Sequence, residues 1–280
     1  MNSVIRFLVI NASSTQFILF ATTLISMWLT ESIARVESKA VKFRHTAVNA
    51  LFMSGALPVQ GCLMLFCLGL ASWATKHNVG LIHLLSHAND PWIKYGVMFF
   101  VLDGLDYLYH VLMHRVPAFW LFHRLHHTDR FVDVSTTFRE HPAETGIRNV
   151  FLILCVLLSG ASIEVLILRQ TVETVSNIFS HTSLSLRPWP ARLLGSLFIT
   201  PNLHHAHHHF QMPATNCNYG DVFSIWDRLF GTFTTMTREE IVFGLDTHMG
   251  IDKPPTNLAI ATGTHIIQLQ QRELAGDARG

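Results

Sequence analysis

The sequence predicts an all-α integral membrane protein, with about four transmembrane helices, a helical hairpin among them, beneath a histidine-rich helical cap. Three observations predict it. Hydrophobic residues make up 49% of the 280 and charged residues only 14%, against about 25% charged in an ordinary soluble domain. Several apolar runs approach or exceed the roughly 20 residues that cross a bilayer as a helix. Twelve of the 18 histidines lie between His110 and His209, most of them in helical step.

The first apolar run covers residues 4–29. No small-residue cleavage site follows it (Thr30-Glu31-Ser32 stands there), so it is expected to be a retained helix and not a signal peptide. A second span is expected over residues 47–75 and a third over 92–114, whose last turns carry His110 and His114. The next region is different. Residues 147–158 are short for a span, Ser159-Gly160-Ala161-Ser162 offers a turn and a helix N-cap, and the apolar pattern resumes over 163–179. A hairpin that enters the membrane and returns is preferred to a single span over 147–168. The single span would strand His181 and the last histidines across the bilayer from the others.

Short-loop charge sets the orientation. Arg35, Lys39, Lys42 and Arg44 lie between the first two spans, whereas residues 76–90 hold one Lys and no Arg. Positive loops stay cytoplasmic, so the third span runs inward and delivers its histidines to that face. The expected whole is one domain over 1–280. Its N-terminal helices occupy about 4–75, its histidine core about 92–234, and a cytoplasmic cap holds a histidine-rich di-metal site. Residues beyond about Leu269 read as a polar tail.

Net charge is +1 and no dense Lys/Arg run appears, which argues against a nucleic-acid partner. Cys62, Cys67, Cys155 and Cys217 show no CxxC spacing and read as small apolar residues. The histidines do carry a pattern. His110 and His114 are four apart; His123, His126 and His127 form HRLHH; His204, His207 and His208 repeat that spacing in HHAHH. Positions i, i+3 and i+4 share a helical face, so each cluster can aim several imidazoles at one point. Three clusters offer more nitrogens than one ion uses, and two metals are expected. Imidazole suits iron, zinc, copper and nickel alike. Neither HxxHH cluster carries the Glu of an H-E-x-x-H hydrolytic zinc site. An all-nitrogen pair beside a lipid pool favours iron and dioxygen. His45, His77, His83, His87, His248 and His265 have no such pattern, and His141, His205 and His209 are left open.

The run Asp103, Tyr107, His110, His114, Trp120, His123, His126, His127, Arg139, His141, Pro142 and Glu144, followed by TPNLHHAHH and NYGDVFSIWDRLFGTF, resembles the fatty acid hydroxylase/sterol desaturase superfamily over about 103–233. The resemblance implies a non-haem di-iron oxygenase. By position it implies His110, His114, His123, His126, His127, His204, His207 and His208 as metal-binding and catalytic residues. The lone His181, in FSHTSL, is implied as a further ligand. Asp103, Tyr107, Arg139, His141 and Glu144 are implied as residues that orient the ligands, with helix-end charge the bland alternative for Asp103 and Glu144. One departure is Val111, where the family often has Arg; Arg115 lies one turn on. Asn218-Tyr219-Gly220 reads as a tight turn that needs the glycine, and Trp226, Leu229 and Phe230 as the apolar face of a packed helix.

The expected activity is hydroxylation or desaturation of a lipid C–H bond by two iron ions and dioxygen. No G-x-G-x-x-G fingerprint or haem-attachment motif is present. Electrons are therefore expected from an external NAD(P)H-dependent donor: a ferredoxin or b-type cytochrome with its reductase. The competing class is a histidine-rich membrane metal-binding or transport protein without oxygenase activity. A bacterial inner membrane is favoured over the endoplasmic reticulum.

Overall fold

The computed structural model describes residues 12–34, 39–84 and 90–245. Among these residues every regular element is helical, and β pairing is confined to two isolated bridges, Phe198 with Phe223 and His209 with Phe243. In chain order the α-helices are α1 (Ala12–Ala34), α2 (Lys39–Lys76), α3 (Met98–Arg115), α4 (Pro117–His127), α5 (Pro142–Ser159), α6 (Ile163–Ser180), α7 (Pro188–Gly195), α8 (Pro201–His207) and α9 (Ile225–Phe230). A π-helical turn, Trp92–Val97, opens α3.

Among the described residues four stretches are long and apolar enough to cross a membrane: Ser14–Ala34, Lys39–Leu84, Trp92–Arg115 and Pro142–Ser159. The start expected for the first span falls outside the described residues, as do His87, His248, His265 and the C-terminal tail. α2 is longer than expected. Its 38 residues rise about 57 Å at 1.5 Å each, nearly twice a bilayer core of about 30 Å. Its first turns therefore stand in the cap, and its exposed Leu51, Leu65 and Phe66 make a lipid-facing side.

The hairpin forms, and the single span over 147–168 does not. Gly160 adopts a left-handed φ of 77° and ends α5. Ser162 takes the N-cap position of α6, but its hydroxyl donates to Glu164 and caps no backbone N–H. The turn is clamped from outside: a Cβ on Gly80 would stand 2.2 Å from the Gly160 nitrogen. Residues 80 and 160 therefore share one end of the bundle, and His181, at the far end of α6, lies at the other. The two legs splay. α5 lies along α2, while α6 packs on α1 and α3. α6 is missing from the apolar stretches because it carries Glu164, Arg169 and Glu173, and Arg169 turns inward to Asp106 of α3 at 2.7 Å. Between these helices Cys67, Met98, Leu102, Leu152, Val156 and Val165 form the apolar core. All four cysteines are free.

At the histidine end, buried polar contacts weld the spans to the cap. Glu31, fully buried on α1, pairs with Lys42 at 2.7 Å and accepts from the Ser183 N–H at 2.6 Å, the Thr182 hydroxyl at 3.1 Å and the Val134 N–H at 3.3 Å. Lys42, counted above as a loop cation, is a buried partner. Nearby, His45 of α2 pairs with Asp129 at 2.8 Å, and Arg139 donates to Asn49, Thr128 and the Leu125 carbonyl.

Candidate metal centre

Nine histidines converge in two groups. His110 and His114 of α3, His123 and His127 of α4 and His207 of α8 bring one nitrogen each within 4.8 Å of one another. His126 of α4, His181 after α6, His204 of α8 and His208 just beyond it form the second group under the same limit. These nine are the residues expected from the sequence. What the spacing did not show is that both HxxHH boxes divide. His123 and His127, four apart, serve the first group while His126 serves the second; His204 and His208 serve the second while His207 serves the first. On a helix, i+3 and i+4 diverge by about 100°, so each box straddles two centres instead of aiming at one point. The His127 and His208 rings stack at 4.6 Å across the boundary, which makes the two centres near neighbours.

Local sequence sets up each element. Val116 is extended and Pro117 occupies the first turn of α4, a position that loses no hydrogen bond to proline. That corner folds α4 back against α3. Pro142 plays the same part for α5, where the His141 Nδ1 accepts from the Ala143 N–H at 3.0 Å. His141 is thus a cap outside both groups. Pro201 opens α8.

Backbone carbonyls and one carboxylate aim the rings. Nδ1–H of His110 donates to the Tyr219 carbonyl at 2.8 Å, that of His181 to Asn177 at 2.8 Å, that of His207 to Cys217 at 2.7 Å and that of His126 to Arg139 at 3.3 Å. His123 Nδ1 meets Glu144 Oε1 at 2.6 Å. A carbonyl can only accept, so it fixes the proton on Nδ1 and leaves the Nε2 lone pair pointing inward. The inward nitrogens crowd: His126 and His204 each bring Nε2 within 3.0 Å of His181 Nε2, and His110 Nε2 lies 3.2 Å from His123 Nε2. Both ring nitrogens of His114 and His127, and Nε2 of His207, are buried without a hydrogen bond. Such groups are costly unless something else satisfies them, and a bound cation does so.

Burial, reinforced by neighbouring imidazoles, holds His126, His127, His204, His207 and His208 well below the usual histidine range. Burial lowers His181 to about 4 and His123 to about 3. At neutral pH these rings are uncharged and their lone pairs free for a metal. No carboxylate belongs to either group, so the donor set is all nitrogen and suits iron, zinc or copper.

The remaining residues singled out by motif sort by contact. Glu144 and the Arg139 carbonyl touch histidines directly. Asp103 and Tyr107 do not: Asp103 accepts from the Val222 and Phe223 N–H groups and from Trp226 Nε1 at 2.7 Å, while Tyr107 meets Thr232 at 3.0 Å. They moor the C-terminal signature on α3, and that signature carries the Tyr219 carbonyl. Arg115 lies against Tyr219. The Asn-Tyr-Gly turn is built differently from its expected form. Asn218, not Gly220, has the left-handed φ (48°). Gly220 is needed for close approach, since a Cβ there would lie 2.5 Å from the Phe223 carbonyl oxygen. Asp227 ties the turn down through the Tyr219 and Gly220 N–H groups at 2.8 and 2.9 Å. α9 leaves Leu229 and Phe230 exposed, although its Trp226 packs on α3 as expected. His205 bonds the Thr182 carbonyl and His209 the Val242 N–H; neither joins a group.

Residues 95–232 match the fatty acid hydroxylase family model. The chain is 29% identical over 161 residues to alkylglycerol monooxygenase of Caenorhabditis elegans, covering 57% of this chain and 31% of the relative. It is 33% identical over 127 residues to the ornithine lipid hydroxylase OlsE of Rhizobium tropici, covering 45% and 38%. With alkylglycerol monooxygenase of Homo sapiens it shares 28% over 157 residues, covering 56% and 34%. The chain thus spans about a third of the length of these curated relatives. No solved structure matches it.

Proposed function

The chain belongs to the fatty acid hydroxylase superfamily through residues 95–232, and from that premise we propose that it oxidises a C–H bond of a membrane lipid at a di-iron centre using dioxygen. The observation that carries the proposal is the pair of all-imidazole groups, five and four nitrogens, set side by side at one end of four apolar helices. The names of the relatives, which act on alkylglycerols and ornithine lipids, support a lipid substrate.

His110, His114, His123, His127 and His207 would hold one iron, and His126, His181, His204 and His208 the other. Bound iron, reduced by an outside donor, supplies the activation of dioxygen that an unactivated C–H bond requires. The chain's own groups do the rest. The Tyr219, Cys217, Asn177 and Arg139 carbonyls and the Glu144 carboxylate keep protons on Nδ1, so the nitrogens facing the metals stay unprotonated. Burial of eight of the nine rings keeps bulk water away. Asp103 and Asp227 hold the Tyr219 loop at fixed distance from α3. The Glu31 and Asp129 networks set the cap against the spans, which decides how far a lipid carbon can approach.

Electrons would come from NAD(P)H through a ferredoxin or b-type cytochrome and its reductase. The histidine end would face the cytoplasm of a bacterial inner membrane, which agrees with Lys39 and Arg44 lying at that end. Lipid analysis of cells with and without the gene tests the proposal. A lipid gaining one oxygen or losing two hydrogens is expected, and purified protein should bind about two irons without a haem Soret band. No lipid change together with zinc as the bound metal would overturn it in favour of a metal-binding membrane protein.

A further inference from the structure

A pocket against the metal centre adjoins a larger cavity. A pocket of about 80 Å³ against His110, His123, His126, His181 and His204 shares Thr137, Glu140, Arg148, Glu173 and Asn177 with a cavity of about 310 Å³ between α1, α2, α5 and α6. Every shared residue is polar. The apolar wall residues, such as Phe20, Met53, Leu57, Met64 and Leu152, belong to the far part alone. Polarity therefore rises toward the histidines. An amphiphile following that gradient enters polar end first, with its chain trailing toward the apolar part.

Acidic side chains outnumber basic ones in the inner section. Five carboxylates (Asp106, Glu140, Glu144, Glu173 and Asp221) and two guanidiniums (Arg148 and Arg169) line the pocket and cavity. Arg148 is taken by Glu140 at 2.7 Å, and Arg169 by Asp106 at 2.7 Å with Glu173 at 2.9 Å. Glu144 serves His123. Asp221 has no side-chain hydrogen bond or ion pair among the described residues, yet its carboxylate lies within 4.8 Å of those of Asp106 and Glu173. Burial first, and then the carboxylates of Glu173, Asp106 and Asp103, favour its acid form, which a neighbouring cation would reverse.

A second observation points the same way. Glu144 Oε2 and Asn177 Oδ1, both on the inner pocket, are buried without a hydrogen-bond donor, and Glu144 is 5% exposed. Both oxygens accept. The missing complement is a cation rich in N–H donors, and a primary ammonium has three. A divalent metal fits less well, because the Arg169 guanidinium already stands in the carboxylate cluster.

We infer that the pocket and cavity together take an amphiphile with an ammonium head group, held by Asp221 and Glu173, so that the carbons nearest the head group and not the chain end meet the histidines. The inference rests on the functional proposal above for what happens there, but its test needs no turnover. Dodecylammonium, 1-dodecanol and dodecanoate are titrated into the purified full chain in nanodiscs, with empty nanodiscs as blank, before and after iron loading. The wild type is expected to bind the amine at least about ten-fold more tightly than the alcohol, the scale of one charge-assisted hydrogen bond. Asp221→Asn and Glu173→Gln should each remove most of that preference while leaving dodecanol binding unchanged, which also reports that they fold. Equal affinity for the three amphiphiles, or a preference untouched by both variants, overturns the inference. So does protection of the cluster by calcium with no effect of the amine. Amine selectivity without any lipid oxidation in cells would reject the oxygenase proposal alone.

Discussion

Glu144 and His123 are joined by a 2.6 Å hydrogen bond between buried side chains, the one place among the described residues where a carboxylate bonds a histidine of either group. The contact fixes the His123 tautomer and makes its inward nitrogen a stronger donor. Such outer partners are worth about ten- to a hundred-fold in metal affinity. Glu144→Gln keeps the shape and removes the acid. Iron affinity, read by chelator competition, is expected to fall within that range while helicity is retained. Unchanged affinity would show that Glu144 serves only the pocket.

The division of each HxxHH box gives a sharper expectation. His126 and His127 are neighbours in sequence but belong to different groups. His127→Ala and His126→Ala should therefore each weaken one iron and spare the other, lowering occupancy from about two toward about one per chain. Metal analysis of the two variants measures it. Loss of both irons in both variants would mean that the groups act as one site.

Helical spacing made eight of the nine histidines legible, because a repeat of 3 and 4 marks a surface whatever it faces, while the lone His181 came only from the family resemblance. The surplus of nitrogens also pointed to two metals, but spacing could not tell which ring serves which centre, and so the split of the boxes was out of reach. The hairpin was legible through Gly160, whose left-handed φ the turn requires. The charged inner side of α6 was not, because Arg169 and Glu173 have partners far away in the chain. Nor do the Tyr219 and Cys217 carbonyls leave a trace, since a backbone oxygen is present at every residue. Gly220 shows the same limit: the glycine was recognisable, but its reason lies in Phe223, brought close by the fold.

Glu31 exemplifies such a long-range contact and carries its own prediction. Its carboxylate compensates the buried Lys42 and accepts from three groups of the cap. Glu31→Ala leaves a buried ammonium uncompensated, at a cost of about 3–5 kcal/mol. Thermal unfolding in detergent should fall sharply, and the added change Lys42→Met should recover much of the loss. A variant as stable as the wild type would place the junction's strength elsewhere, in the Asp129 network.

At the opposite end, Gly160 is strained for any other residue. Besides its left-handed φ, a Cβ there would stand 2.7 Å from the Val79 carbonyl oxygen and 2.9 Å from Ile82 Cγ2. Gly160→Ala should cost about 1–3 kcal/mol or more, visible as a lower Tm. Because His181 closes the hairpin's far leg, the loss should reach the second histidine group before the first. Stability equal to wild type would indicate that the turn tolerates rearrangement.

Removing metal should destabilise the protein more than its small number of contacts implies. Without a cation, His114 and His127 keep both nitrogens buried and unpaired, and each such atom costs about 1–3 kcal/mol. A ligand that binds only the folded chain stabilises it by about 2.7 kcal/mol at a hundred times its Kd. The iron-loaded form should accordingly melt higher than the chelator-treated form, and readdition of iron should restore it. In His127→Ala, where one unpaired ring is gone and one site is weakened, the gap between loaded and stripped protein should narrow. A gap of the same size in that variant would show that stabilisation comes from the second group alone.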